Sequence, residues 1–341
     1  MLILRHQEVR EVLTAREHDV VAAVRSAYLR HQESLSVLPH STFLRIPAAP
    51  GEAVAANRII GLPAYLGGDR PAAGIKWIAS FPGNLARGLD RASAVMVLNS
   101  LETGRPEVVM EASTISAVRT AASAALAAAT LAAPGSSPRA GVTLVGCGVI
   151  NLAVLRYLAA LCPDLSDVVL YDRDPARART FADRCAAIFP VQTAVSTDIT
   201  RAMASHDLVS IATTATTPHV GLEELPASAT VLHVSLRDLT PEAVLASHNI
   251  VDDADHVCRE GTSLHLAEQR TGHRGFIDAS LADVLLDGEA LQREDGKPVV
   301  FSPFGLGVLD IAVADLVRQV AVREGLGVRV DSFLPDGDVG G

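Results

Sequence analysis

Two kinds of sheet are legible in the sequence, and together they predict an α/β protein with a parallel, doubly wound unit and an α+β unit on an antiparallel sheet. Three observations carry this prediction. From residue 141 onward, short apolar strands alternate with helical segments, as in a parallel sheet. Over the first hundred residues, extended segments follow one another through turn clusters. Between these regions "GVTLVGCGVINLAVLRYLAAL" (141–161) passes from a buried strand through a glycine turn into an apolar helix.

Taken in order, "REVLTAREHDVVAAVRSAYLRHQ" reads as two short amphipathic helices, with apolar residues recurring at helical spacing. "STFLRIPAA", "AANRIIGLPAYL" and "AAGIKWIASF" follow as extended segments, the last two joined by the turn cluster "GGDRP". Alternation in "GIKWIAS" places Ile75, Trp77 and Ala79 on one face and Lys76, Ile78 and Ser80 on the other. "ASAVMVLNS" and "EVVMEA" form a hairpin around "LETGRP", and "STISAVRTAASAALAAATLAA" is a helix capped by Ser113 or Thr114. After the turn-rich link "APGSSPRAG" come strands "VTLVG", "DVVLYD", "VQTAV", "LVSIAT" and "TVLHVS" with helices between the first four. "GVLDIAVADLVRQVAVREG" is a strongly periodic helix, and "LPDGDVGG" reads as a frayed tail.

The chain has 341 residues, of which 49% are hydrophobic and 20% charged, enough for two domains with a substantial core. A formal charge of −10 argues against a nucleic-acid partner, which needs cations against its phosphates. Cysteines 147, 162, 185 and 258 show no C-x-x-C spacing and read as reduced thiols. The N-terminal "MLILRHQEVREVL" is too charged for a signal peptide, and the alanine-rich run ending at Pro134 is too short for a bilayer span. These features predict a soluble, cytoplasmic protein without a membrane partner.

Gly146-Cys147-Gly148 sits between a strand and a helix, where the first glycine permits a tight turn and the second lets backbone N–H groups approach a pyrophosphate. Asn151 occupies the place where a third glycine is usual, which weakens the fingerprint without removing the phosphate site. "DVVLYD" ends in Asp172, placed to bind a ribose diol and repel a 2′-phosphate, with Arg173 beside it softening that discrimination. A βαβ turn without a ligand is the alternative. The reading taken is a Rossmann-type domain that binds a dinucleotide, NAD rather than NADP.

The ordered set "FLR" (43–45), "GIKWIASFPGN" (74–84), "LETGRP" (101–106), "STISAVRTAASAALAAATL" (113–131) and the glycine loop resembles the ornithine cyclodeaminase/μ-crystallin family over nearly the whole chain. "LHVSLRDLTPE" (232–242) and "FSPFGLGVLDIAVADLV" (301–317) resemble its branch of N-(2-amino-2-carboxyethyl)-glutamate dehydrogenases, which make 2,3-diaminopropionate for siderophores and peptide antibiotics. Two departures stand out. Ornithine cyclodeaminases usually carry a G-x-G-x-Q-A loop, and a G-x-D-x-P-G-K-x-E stretch where this chain has "SLRDLTPE". The resemblance implies residues 1–120 with 309–341 as a substrate-binding and homodimerisation domain, and 121–308 as the NAD-binding domain.

The resemblance also implies active-site roles for Arg45, Lys76 and Arg119. Arginine offers a planar fork to a carboxylate, and Arg91 adds a cation suited to a substrate with an extra carboxylate. A surface ion pair is the alternative for Arg91. Lys76, inward among arginines, should have a lowered pKa suited to proton transfer, unless it is a solvated strand lysine. Asp238 follows a strand end and could activate water or orient an amine, or else cap the helix "TPEAVLA". The expected nucleotide contacts are Thr120, Gly146, Gly148, Val149, Ile150, Asn151, Asp172, Arg173, Thr213, Thr214, Ser235 and Gly305.

The stretch 248–273 contains four histidines, but its spacing matches no metal motif, so it reads as surface helix and loop and no metal is expected. The expected substrate is a small-molecule amino acid with two or three carboxylates. The reaction expected from the branch is NAD-dependent oxidative C–N cleavage. Ornithine cyclodeamination, a related imine reductase or amino-acid dehydrogenase, and a non-catalytic NAD(P)H-binding protein are the rivals.

Overall fold

A computed structural model describes residues 1–47, 57–132, 140–288, 290–291, 293 and 296–335. The chain divides into two compact units, Met1–Arg119 with Gly307–Gly341, and Thr120–Leu306. The link at 133–139 and the tail from 336 lie outside the described residues, as do the end of the segment "STFLRIPAA" and the start of "AANRIIGLPAYL".

The first unit opens with β1 (Leu2–Leu4), α1 (His6–Leu13) and α2 (Glu17–Gln32). Strands β2 (Ser36–Val37), β3 (Thr42–Arg45), β4 (Arg58–Leu66), β5 (Ala72–Ser80), β6 (Ala92–Asn99) and β7 (Pro106–Glu111) follow, then α3 (Ser113–Thr130). Beside β5, β4 carries Pro63 in its middle. On its other side β4 pairs with β3 through Arg58–Gly61 and with β2 through Tyr65–Leu66, so Pro63 falls in the gap, where a missing N–H costs least. Gly74 of β5 has no room for a side chain, since a Cβ would meet the Val97 carbonyl oxygen at 2.0 Å. Strand β5 buries Lys76 and leaves Trp77 42% exposed, the reverse of what hydrophobicity alone would arrange.

The second unit contains strands β8 (Gly141–Val145), β9 (Asp167–Tyr171), β10 (Gln192–Ser196), β11 (Leu208–Ile211), β12 (Thr230–His233), β13 (His248–Val251), β14 (Ile277–Ser280) and β15 (Val299–Ser302). Its helices are α4 (Val149–Leu161), α5 (Pro175–Ile188), α6 (Ile199–Met203), α7 (Pro241–Leu245), α8 (Ala254–Val257), α9 (Ser263–Thr271) and α10 (Leu281–Leu286). The sheet order is β10-β9-β8-β11-β12-β15-β13-β14, and every pairing is parallel. Strands β11, β12, β13 and β15 are buried throughout, as expected of a parallel sheet covered on both faces.

The chain then returns to the first unit as α11 (Gly307–Glu324) and β16 (Val328–Arg329). The first unit's sheet runs β16-β1-β7-β6-β5-β4-β2, with β3 also on β4. It is antiparallel except where β1 runs parallel to β7. Helix α11 packs on β4, β5 and β6 and against α2. Every residue from Gly307 through Asp315 is buried, so its first half is apolar nearly all round rather than a one-faced amphipath. No helix of the described residues is long and apolar enough to cross a membrane, and all four cysteines are free thiols.

Candidate active site

In the first unit three elements bring their charges to one point. Lys76 of β5 donates from Nζ to Asp310 Oδ2 at 2.6 Å, and Arg119 of α3 donates from Nε to Asp310 Oδ1 at 3.0 Å. Ser116, one turn before Arg119, accepts from Lys76 at 3.3 Å. Lys76, Asp310 and Arg119 are all buried. The start of α3 is held by Glu111, whose carboxylate accepts the backbone N–H groups of Ser113 and Thr114, rather than by a Ser113 or Thr114 side-chain cap.

Burial lowers the Lys76 pKa, Asp310 raises it and Arg119 lowers it, which leaves it at about 8. The lysine is therefore a buried group poised between its two protonation states. The Nη groups of Arg119 enter no hydrogen bond among the described residues, so the fork suited to a carboxylate remains available. Asp310 is a site residue that no motif in the sequence marks. Its signal was a lone acid in the apolar run "GVLDIAVA".

Arg45 and Arg91 lie elsewhere on the same unit. Arg45 is exposed on β3, its guanidinium 5.6 Å from the Phe43 ring centre. Arg91 is half-buried, donates from Nε to Ser80 Oγ at 3.3 Å, and forms no ion pair among the described residues. Burial lowers its pKa, and the nearby Arg58 lowers it further. Arg58 lies outside every motif of the sequence, and its place is set by strand pairing.

In the second unit the glycine loop has two distinct glycines. Gly146 has φ +94°, and a Cβ there would lie 2.4 Å from the Ala212 carbonyl oxygen, so the fold itself demands glycine. Gly148 has ordinary extended backbone, with nothing within 4 Å of a built Cβ. The fold leaves that side open.

Gly148 also gives α4 no side-chain cap, and Val149 in the first turn is 63% exposed. Every other helix that starts in this unit is capped, by Asp174, Asp198, Thr240, Asp253, Thr262 and Ser280. The uncapped first turn, with Val149 and Ile150, suits a diphosphate.

The other nucleotide candidates differ in what they can offer. Asn151 is fully buried. Its amide donates to Val145 O at 2.9 Å and Gly146 O at 2.7 Å and accepts from Ser210 Oγ at 2.8 Å, so it fastens the loop from below rather than presenting a group to a ligand. Asp172, half-buried at the end of β9, accepts the Cys147 N–H at 2.9 Å and the Asp174 N–H at 3.0 Å. Arg173 and Thr214 are exposed, and Thr120 is half-buried in α3. Gly305, with φ +94°, spends its N–H on the buried Asp252 at 2.7 Å. That carboxylate, pushed up to about 6 by burial, also accepts from Phe304 N and Asp253 N and holds the turn before α11.

Asp238 is fully buried at the centre of a hydrogen-bonded knot. Thr213 donates to its Oδ1 and Ser235 to its Oδ2. Burial pushes its pKa up, but the His233 ring beside it and the hydroxyl bonds from Ser235 and Thr213 outweigh this and hold it below the ordinary range. Burial also lowers the His233 pKa, and the neutral ring fits its geometry: Nε2 accepts the Asp238 N–H at 3.3 Å while Nδ1 meets Ser302 Oγ at 3.1 Å. The expectation that Asp238 activates water meets a carboxylate with no solvent contact and both oxygens engaged. Nor does it cap α7, whose cap is Thr240.

The stretch 248–273 is not surface helix and loop. His248–Val251 is a buried strand, and His256 and Cys258 are buried beyond it. His248 is committed to Asp278, Nδ1 to Oδ1 at 3.1 Å.

An arginine fork beside a lysine lowered to about 8, and a strand–glycine–helix cradle in a parallel sheet, are the two parts that an enzyme using a dinucleotide on an amino acid needs. The comparisons agree. The chain is 29% identical to the N-((2S)-2-amino-2-carboxyethyl)-L-glutamate dehydrogenase of Staphylococcus aureus, over 98% of this chain and 99% of that one. It superposes with TM-score 0.87 and 25% identity on the Delta(1)-pyrroline-2-carboxylate reductase of Thermococcus litoralis in complex with NADH and L-proline, covering 97% of this chain and 100% of that one. An archaeal alanine dehydrogenase dimer with bound NAD matches with TM-score 0.85 and 25% identity, over 98% of this chain and 99% of that one. The sequence pattern of the ornithine cyclodeaminase/mu-crystallin family spans residues 4–325, and the chain belongs to that family as an NAD-dependent oxidoreductase acting on amino acids or imines.

Proposed function

We propose that the protein cleaves N-[(2S)-2-amino-2-carboxyethyl]-L-glutamate oxidatively. The conjugate, NAD⁺ and water give L-2,3-diaminopropionate, 2-oxoglutarate, NADH and a proton. The product is a building block for a siderophore or a peptide natural product. The observation that carries this reading is the buried Lys76–Asp310–Arg119 cluster, which sets a carboxylate fork beside an amine that titrates near pH 8.

Arg119 holds the glutamyl α-carboxylate through its Nη groups, while Arg45 and Arg91 serve the remaining carboxylates. NAD, when bound, supplies the acceptor for the hydride of the glutamyl α-carbon. Lys76 in its neutral form takes the proton from the secondary amine as the C=N bond forms. Water then adds to that carbon and the C–N bond breaks, so nitrogen leaves with diaminopropionate and oxygen stays on 2-oxoglutarate. Asp238 fixes the hydroxyls of Thr213 and Ser235 rather than meeting water. Gly148, Val149 and Ile150 hold the diphosphate, and Asp172 holds the ribose diol.

The test is NADH formation, followed by its near-ultraviolet absorbance, with this conjugate and, in parallel, with L-ornithine scored for ammonia and proline. Stoichiometric NADH and 2-oxoglutarate are expected from the conjugate, with the rate lowered by about 10²–10⁴ in Lys76→Ala. Proline from ornithine without net NADH would instead establish cyclodeamination.

The reading includes a homodimer. The outer face of the first unit's sheet exposes Trp77, Tyr65 and Val95, an apolar surface suited to pairing with a second copy. Sedimentation at the mass of two chains is the expected result, and at one chain would overturn it.

A further inference from the structure

Three arginines of the first unit, Arg45, Arg58 and Arg91, stand near one another. Strand register sets Arg45 directly opposite Arg58, and Arg58 directly opposite Ser80. Directly opposed residues of antiparallel strands share a face, so these three stand together on one side of the sheet. Arg91 joins them by donating to Ser80 Oγ at 3.3 Å, with the Phe81 N–H bonded to its own carbonyl at 2.8 Å. Like charges opposed across a ladder are destabilising, and here Nε of Arg58 is out of contact with solvent. The proximity is felt, since Arg58 lowers the pKa of Arg91.

The side of the sheet also matters. Residues at even spacing along a strand share a face, so Lys76, Ile78 and Ser80 are in line on β5. The arginine group therefore lies on the same face as Lys76, about 13 Å along the strand by its rise per residue. That gap is shortened by the reach of long arginine side chains. Lys76 and Arg119 share Asp310, whereas the Nη groups of Arg91 enter no hydrogen bond among the described residues.

We propose that Arg58, with Arg45 and Arg91, forms a second carboxylate subsite on this face, selecting amino acids that carry an acidic group remote from the reacting carbon. This deepens the reading above and rests on it for the amino-acid class of the substrate. Arg58 is the residue it adds. Standing between Arg45 and Ser80, it is the member that can share one anion with both neighbours. Ser80 anchors Arg91 by its Nε and leaves its fork directed by that anchor.

The test uses the full chain loaded with NADH and two five-carbon probes, 2-oxoglutarate and 2-oxopentanoate, which differ in the distal carboxylate. Isothermal titration reads the ratio of their affinities. The wild type is expected to prefer 2-oxoglutarate by about ten- to a hundredfold, the worth of hydrogen bonds to a charged group. Arg58→Gln and Arg91→Gln should each bring the ratio toward one, and Arg58→Lys should keep an intermediate ratio. The lysine variant also keeps the test informative if the glutamine variant fails to fold. Equal affinities in the wild type, or a ratio unchanged in both glutamine variants, would overturn the subsite. A preference retained in a chain that makes no NADH from the conjugate would sink the proposed reaction and leave the subsite standing.

Discussion

Asp310 in the first unit and Asp238 in the second are both fully buried carboxylates, and the two are stabilised by opposite means. Asp310 sits between two cations, Lys76 and Arg119, and answers charge with charge. Asp238 keeps its charge with hydroxyls, from Thr213 and Ser235. A buried ion pair recovers its desolvation cost by attraction, and removing one member strands the other. A carboxylate held by hydroxyls depends instead on the number of donors. The first arrangement also regulates a proton, because Asp310 sets how readily Lys76 gives one up. The second fixes geometry.

The sharpest way to break this comparison is Asp310→Asn. The substitution keeps the shape and leaves two buried cations without their anion, so it should cost about 3–5 kcal/mol, read as loss of denaturant midpoint. Its effect on pH is more diagnostic. Asp310 raises the Lys76 pKa while burial and Arg119 lower it. Activity that needs neutral Lys76 should rise with pH through about 8 in the wild type. In the variant that rise should shift to lower pH. A rise that stays in place would show that Asp310 does not tune the lysine.

Stability responds to the same group. The folded pKa of Lys76 is about 8 against an ordinary 10.5, so between those values the unfolded chain binds more protons. Folding therefore gains stability as pH rises through that window. The variant, with its lower folded pKa, should begin to gain at a lower pH.

The parallel sheet was legible because its main strands are local patterns: "VTLVG", "DVVLYD" and "LVSIAT" are apolar runs bounded by helices or turns. Strands β13, β14 and β15 were not. Each has four residues, and β13 begins with His248 and Asn249, whose polar groups are met in the buried strand by Asp278 and by the carbonyls of Val244, Ser247 and Phe276. No window of sequence shows that pairing. The parallel pairing of β1 with β7 was hidden for the same reason, since it joins residues about a hundred positions apart.

The site divides similarly. The glycine loop is contiguous and was readable, including the odd Asn151, whose role as a buried fastener needed coordinates. Lys76 and Arg119 stood out by resemblance. Their common partner is 234 residues from one and 191 from the other, and no periodicity encodes that meeting. Leu236 marks where the departure from the family's glycine-bearing stretch has a backbone consequence. It adopts φ +68° two residues before Asp238, a conformation that costs a leucine of order 1–3 kcal/mol. Its side chain, buried in the same apolar cluster as Val220, Leu239 and Val257, offsets part of that.

The comparison is sharpened most finely by two serines. Ser116 accepts from Lys76 at 3.3 Å, as a supplement to an ion pair that would survive without it. Ser235 donates to Asp238, whose charge has only such donors to rely on. Ser235→Ala should therefore cost about 1–3 kcal/mol, the penalty for leaving a buried charged group short of a partner. Ser116→Ala should cost about 0.5 kcal/mol or less, within the range of a substitution that breaks nothing essential. Thermal melting of the two variants gives the difference directly.

Acid behaviour separates them again. The folded pKa of Asp238 lies below its ordinary value, so its contribution is complete above that value and is lost as pH falls through the folded pKa. Removing the Ser235 donor raises the folded pKa, so that contribution shrinks and its loss should begin at higher pH in Ser235→Ala and not in Ser116→Ala. Equal costs and superimposable acid transitions would mean that the two buried carboxylates are held alike, and that charge and hydroxyl compensation are interchangeable in this fold.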